Sequence, residues 1–153
     1  MTQTCTAESE AGIALAALRA MVDIADSTVE KIIGQLTMTQ FRALRVIADR
    51  TPVTMSRVAQ ALGLNPSSVT RACDKLTAQG LVQRAQNPLN KRETLLAPTA
   101  KGRQIVERVD QDRRAVLSAI LGRLDTADRA ALVTAFARFT AIAETVSPLG
   151  VES

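Results

Sequence analysis

Four consecutive residues, Gly63-Leu64-Asn65-Pro66, constrain this chain more than any other feature of its sequence. Glycine ends a helix by taking the left-handed backbone at no steric cost. Asparagine is a strong N-cap, and proline is favoured at the first helical position, where its missing N–H is not needed. One helix therefore stops and another starts with almost no chain between them. Thr54 can cap the short helix before this joint, which turns Val58, Ala59 and Leu62 inward. The helix after it is predicted from Pro66 to about Gln79, with Gly80 as its stop. Two short helices joined by so tight a turn form a helix-turn-helix.

The flanking sequence completes a lobe. Thr37 and Gln40 fit a capping box for a helix with an apolar face of Phe41, Leu44, Ile47 and Ala48, ended by Pro52. After the helix-turn-helix, Leu81–Ala85 and Glu93–Ala97 can pair as strands around a long, basic, polar tip at residues 86–92. Residues 11–35 space Ile13, Ala16, Ala17, Ala20, Met21, Ile24 and Thr28 by three and four, as a first helix does. Thr99 can cap a fifth helix over about 100–123, and Asp125 a sixth. The predicted fold is mainly α: a winged helix-turn-helix with a small β-hairpin wing and long terminal dimerisation helices. Residues 1–10 and 147–153 are expected to be flexible tails. Between them, 11–146 is expected to be a single domain, with a lobe at 37–98 and dimerisation helices at 11–35 and 100–146.

Composition removes most chemistry. The 153 residues include no His, which takes away the commonest general base and metal ligand. Two Cys, at 5 and 73, have no metal-ligand spacing, and the carboxylates are scattered singly. No enzyme, metal site or cofactor is expected. With three Phe and no Trp or Tyr, the core must be aliphatic, which suits closely packed helices. No apolar run reaches the roughly 18 residues of a membrane span, and Met1–Glu10 is too polar for a signal peptide, so a cytoplasmic location is expected. Between Thr54 and Arg103 eight basic residues face only Asp74 and Glu93, a net of +6, while the rest of the chain carries −2. A middle third this basic suggests a polyanionic partner.

A helical wheel of residues 66–79 places Val69, Ala72, Cys73 and Leu76 on one stripe. Ser67, Arg71, Asp74 and Ala78 fall opposite, flanked by Thr70 and Lys75. Small polar side chains near the start would let this helix enter a DNA major groove, where Arg71 can donate twice to a guanine edge. The run from Thr54 to Arg71 resembles the MarR family of bacterial regulators. So do Leu76–Arg84, Asn87–Arg92 and the Thr99-Ala100-Lys101-Gly102 that follows. The resemblance extends over about residues 11–146.

That resemblance implies a homodimer whose terminal helices intertwine on double-stranded DNA, acting as a repressor of transcription at a pseudo-palindromic operator. Ser67, Ser68, Thr70, Arg71 and Lys75 would face the major groove. Arg92, beside Lys91, matches the wing arginine that enters the adjacent minor groove, and Arg84 matches a phosphate contact. The family usually has Asp where this chain has Asn90, so the wing is expected to be braced differently. Release by a small aromatic or phenolic effector is also implied, with Ile24, Phe41, Arg45 and Val109 as candidate lining. An apolar set at helical spacing equally describes plain core. Some members sense oxidants through a Cys near the first helix, which raises the question for Cys5, although no Tyr is present to support it. A protein-binding winged module is the rival reading, and the basic face argues against it.

Overall fold

A computed structural model describes residues 2–34 and 36–146, with the side chains of 2–7, 32 and 33 left aside. The order is α1 (Thr2–Ile33), α2 (Met38–Arg50), β1 (Val53–Thr54), α3 (Met55–Leu62), α4 (Pro66–Ala78), β2 (Val82–Asn87), β3 (Asn90–Pro98), α5 (Ala100–Leu121) and α6 (Thr126–Thr145). The chain divides into two units at the Arg113/Arg114 bond, inside α5.

The first unit is built on local signals that act as expected. The Thr37 side chain accepts from the Gln40 N–H, and the Gln40 side chain returns to the Thr37 N–H at 3.1 Å, closing the capping box. Gly63 ends α3 at φ 62°, and the Leu64 N–H returns to the Ala59 carbonyl at 3.2 Å. Asn65 Oδ1 then accepts from the Ser68 N–H at 2.8 Å, with Pro66 at the first position of α4. Each helix turns one apolar stripe into a common core: Phe41, Leu44 and Ile47 from α2, Val58 from α3, Val69, Cys73 and Leu76 from α4, and Val106 and Val109 from α5. Phe41 is the one aromatic ring in that core. The rest is aliphatic, as the composition required.

The sheet differs from expectation in two ways. It has three strands in the order β1-β3-β2, all antiparallel, with Val53 opposite Leu96 and Arg84 also opposite Leu96. β1 is only two residues long, too short for any periodicity to reveal, and it exists because β3 offers it an edge. The wing strands are longer than expected, so the long tip shrinks to the two-residue loop Pro88-Leu89. Lys91 and Arg92 therefore lie on β3 rather than in a loop. Neither loop residue has positive φ. Such a loop fits strand twist poorly, and the mismatch is taken up by a bulge between Gln86 and Asn87.

Helix α1 begins at Thr2, so the expected tail at 1–10 is helical from its second residue. Residues 2–10 contain no Gly or Pro, and nothing in them stops a helix from extending backward. The expected tail at 147–153 lies outside the described residues. At the other end of α1, Thr28 is 2% exposed, with Oγ1 2.9 Å from both the Ile24 and Ala25 carbonyls. Arg113 donates to Thr28 Oγ1 and to the Ala25 carbonyl, each at 3.3 Å, and its guanidinium lies 5.8 Å from the Phe41 ring centre.

In the second unit, Asp125 caps α6 by accepting from the Asp128 N–H at 2.8 Å. Arg129 donates to the Leu121 and Leu124 carbonyls at 2.9 and 3.1 Å, tying the start of α6 to the turn that follows α5; the Leu121 carbonyl also accepts the Leu124 N–H at 3.2 Å. No residue of α6 is buried.

Candidate nucleic-acid interface

The exposed face of α4 follows from the capping joint and the core stripe. Val69, Ala72, Cys73 and Leu76 are buried, and Ser67, Thr70, Arg71, Asp74, Lys75 and Ala78 are exposed, as the wheel predicts; Ser68 is half-buried. Two hydroxyls of this face are already engaged. Ser67 donates to Asn65 Oδ1 at 2.8 Å, and Thr70 donates back to the Pro66 carbonyl at 2.8 Å. Each keeps acceptor capacity only, so neither is a free donor to a base edge.

Arg71, Asp74, Lys75 and Ala78 line a shallow open depression of about 480 Å³. Asp74 is not free. Arg84, on β2, donates to its Oδ1 at 2.6 Å, joining the first wing strand to α4. The resemblance implies a phosphate contact at Arg84, and nothing in the sequence links it to Asp74. The pairing spans the turn into β2, so no helical spacing signals it. Among the described residues, the side chains of Arg71, Lys75, Lys91 and Arg92 have no protein hydrogen-bond or ion-pair partner and remain available to an anion.

Amide side chains hold the wing. Asn90 Oδ1 accepts from the Arg92 backbone N–H at 3.2 Å, so it braces the main chain and not the guanidinium. Gln86 Nε2 donates to the Lys91 carbonyl, and Asn87 Nδ2 donates to Glu93, both at 3.0 Å.

The four candidate effector-lining residues have different environments. Phe41 and Val109 are 2% and 0% exposed within the common core, and Ile24 is half-buried. Arg45 donates to Asp49 at 2.9 Å and to Asp110 of α5 at 2.5 Å. The hydrogen bond it donates to Asp110 raises its already high pKa, burial opposes the shift, and Asp49 adds to it. Asp110 and Arg113 had no sequence signal, because their partners lie 65 and 85 residues away.

Cys73 is fully buried. Burial pushes its thiol up to about 11, with Arg84 drawing it down and Asp74 raising it. The thiolate, the reactive form, is therefore scarce at neutral pH. Iodoacetamide is expected to leave Cys73 unmodified in the native protein and to label it after denaturation, as read by peptide mass. Rapid native labelling of Cys73 would contradict this. The Cys5 side chain is outside the described residues.

Among the described residues no cluster of acidic or Cys side chains is placed to hold a metal ion, and no helix is long and apolar enough to cross a membrane. A helix-turn-helix followed by a basic, amide-braced hairpin defines the winged helix-turn-helix class of regulators. The model of the MarR family matches residues 35–93. The crystal structure of Rv1404 from Mycobacterium tuberculosis is 30% identical, covers 93% of this chain and 92% of its own, and superposes with a TM-score of 0.78. This chain belongs to the MarR family. The HTH-type regulator YhjH of Bacillus subtilis is 30% identical over 72 residues, which is 47% of this chain and 41% of that protein's length. The chain matches 66% of the length of a second regulator, Mb0904 of Mycobacterium bovis, at 27% identity over 61% of its own. Streptococcus pneumoniae FabT, solved in complex with DNA, shares the fold at 18% identity and a TM-score of 0.73, over 90% of this chain and 99% of its own.

Proposed function

We propose that this protein is a sequence-specific DNA-binding regulator that sits as a homodimer on a pseudo-palindromic operator and represses transcription there. The observation that carries the reading is the set of unpaired cations on one lobe: Arg71 and Lys75 on α4, and Lys91 and Arg92 on β3. A helix can enter the major groove while a hairpin reaches the adjacent minor groove, so the two cation pairs suit two neighbouring surfaces of one duplex. The DNA complex of FabT supports the same use of the fold. Repression follows from occupancy, since a dimer across a promoter excludes polymerase, and this role belongs in the cytoplasm.

Dimerisation is supported by exposed apolar side chains at helical spacing. On α1 these are Ile13, Leu18 and Met21, and on α6 Val133, Phe136, Phe139 and Ile142, with Phe139 70% exposed. A helix as apolar as α6 with no buried residue needs a cover, and a two-fold copy is the usual one. Residues 11–35 and 100–146 would serve this interface, and 37–98 the DNA. Sedimentation at micromolar concentration is expected to give a dimer, and a monomer alone would reject the interface. Binding to a selected operator duplex, followed by fluorescence anisotropy, is expected to weaken with salt at a log–log slope of about −5 to −9, for roughly 6–10 neutralised phosphates. A flat salt dependence would reject the polyanion reading.

A small aromatic or phenolic effector would enter beside Ile24, Phe41, Arg45 and Val109. An anionic group on it could compete with Asp110 for Arg45 and loosen the tie between α2 and α5.

The Asn90→Asp variant tests the wing. A carboxylate would keep the acceptor for the Arg92 N–H and strengthen that bond, but it would add negative charge near phosphate. The two effects oppose, so operator affinity is expected to change by about fivefold or less. A larger loss would show that the Asn90 amide does more than accept one hydrogen bond.

A further inference from the structure

Leu89 is 95% exposed, more than any other large apolar side chain among the described residues. The exposed apolar residues of α1, α5 and α6 recur at helical spacing and belong to the proposed dimer surface. Leu89 does not, because it sits alone at the tip of the wing, second in the Pro88-Leu89 loop. An isolated exposed leucine on a loose loop would mean little. This loop is held. Pro88 fixes its own φ, Asn87 Oδ1 accepts from the Leu89 N–H at 3.0 Å, and Asn87 Nδ2 ties back to Glu93 at 3.0 Å. Gln86 secures the Lys91 carbonyl across the strands. The hairpin therefore presents one apolar side chain at a defined place, two and three residues before Lys91 and Arg92, whose side chains point to opposite faces of β3 and have no protein partner among the described residues.

Those cations decide the partner chemistry. A protein groove would suit the leucine alone, whereas a polyanion with an apolar interior suits the leucine and the cations together. A duplex offers phosphates along the groove edges, and stacked bases behind them that a wedge can part. We propose that Leu89 is an apolar wedge that the wing inserts in the minor groove, partly unstacking a flexible pyrimidine–purine step and bending the duplex. The inference rests on the DNA-binding reading above and goes beyond it. It makes Leu89 a specificity-determining residue that hydrogen-bonds no base. TA and CA steps part most easily, so they would be preferred under the wing over a stiff A-tract.

The test uses the full-length protein and a duplex that it selects from a random-sequence library. 2-Aminopurine is placed at the TA or CA step in the wing-proximal flank. Wild type is expected to raise the 2-aminopurine fluorescence and to bend the duplex by about 20–90° in end-labelled energy transfer. Leu89→Ala is expected to lose both signals and the preference for TA over an A-tract, while its circular dichroism and salt dependence stay as in wild type. Leu89→Met, which keeps an apolar tip, is expected to retain them. Equal bending and fluorescence in wild type and Leu89→Ala overturn the wedge. A change in sedimentation for Leu89→Ala, with DNA behaviour unaltered, also overturns it and assigns Leu89 to a protein contact. If wild type binds no duplex, the DNA reading fails and the wedge with it. If wild type binds and unstacks nothing, only the wedge fails.

Discussion

Gly102→Ala is expected to remove about 3 kcal/mol or more of the stability of the first unit, a large effect for one methyl group. A Cβ at position 102 would lie 2.1 Å from the Leu81 carbonyl oxygen, 3.1 Å from its carbon and 3.2 Å from Leu44 Cδ1. The oxygen cannot easily retreat. It accepts the Thr99 N–H at 3.0 Å, and the Leu81 N–H is itself bound to the Leu76 carbonyl at 2.9 Å. Gly102 cannot easily retreat either, because its N–H is held by Thr99 Oγ1 at 3.1 Å and that residue also donates to the Gly80 carbonyl at 2.7 Å. Leu44 is fully buried and has no space to yield. The start of α5 is thus seated on the turn between α4 and β2 through a contact only hydrogen can fill. Urea unfolding followed by circular dichroism should show a large fall in midpoint for Gly102→Ala. The exposed neighbour Lys101→Ala should change stability by no more than about 0.5 kcal/mol. A wild-type midpoint for Gly102→Ala would mean that the Leu81 carbonyl moves aside freely.

Arg71→Ala is expected to cost about 1–3 kcal/mol on the operator and less on random DNA, so that the specificity ratio falls. The reason is position. Arg71 is exposed on the middle of the α4 face, beside the depression it forms with Asp74, Lys75 and Ala78, and no carboxylate neutralises it among the described residues. Asp74, three residues on, pairs with Arg84 instead. Arg92→Ala should act differently. Its side chain is exposed on β3 in the wing, where the negative potential of the minor groove would attract a cation. Its loss should weaken operator binding and reduce discrimination of A·T-rich flanks, while preference at the major-groove positions survives. The two losses should be nearly additive if helix and wing contact DNA independently. Competition binding with groove and flank variants separates these outcomes. Equal losses for Arg71→Ala on operator and random DNA would make Arg71 a phosphate contact and refute base reading.

The parts of this protein legible in its sequence are those governed by neighbours within a few residues. Thr37, Thr54, Asn65 and Asp125 all cap the helices they precede, because a cap needs only a side-chain oxygen and an N–H two or three residues on. The buried stripe of α4 follows from helical spacing alone, and with it the exposed face that carries Arg71. The extent of the wing was not legible. Residues 86–92 carry turn residues, yet the Gln86 and Asn87 amides bond across to β3 and hold the strands together up to Pro88, while Asn90 braces the main chain of β3 at Arg92. Composition identified turn chemistry there without revealing how short the turn would be.

The sequence by itself determined the helix-turn-helix, the aliphatic core and the basic character of the lobe, since caps, periodicity and charge are properties of short stretches. Tertiary structure alone decided which charges remain available. It paired Arg84 with Asp74 and Arg45 with Asp110, set Arg113 on Thr28, and left Arg71 and Arg92 unpaired among the described residues. It also brought the Leu81 carbonyl against Gly102 and gave β1 a partner in β3. These contacts join residues 10 to 85 positions apart, or separate strands. Only the closing of the core brings such groups within hydrogen-bonding distance.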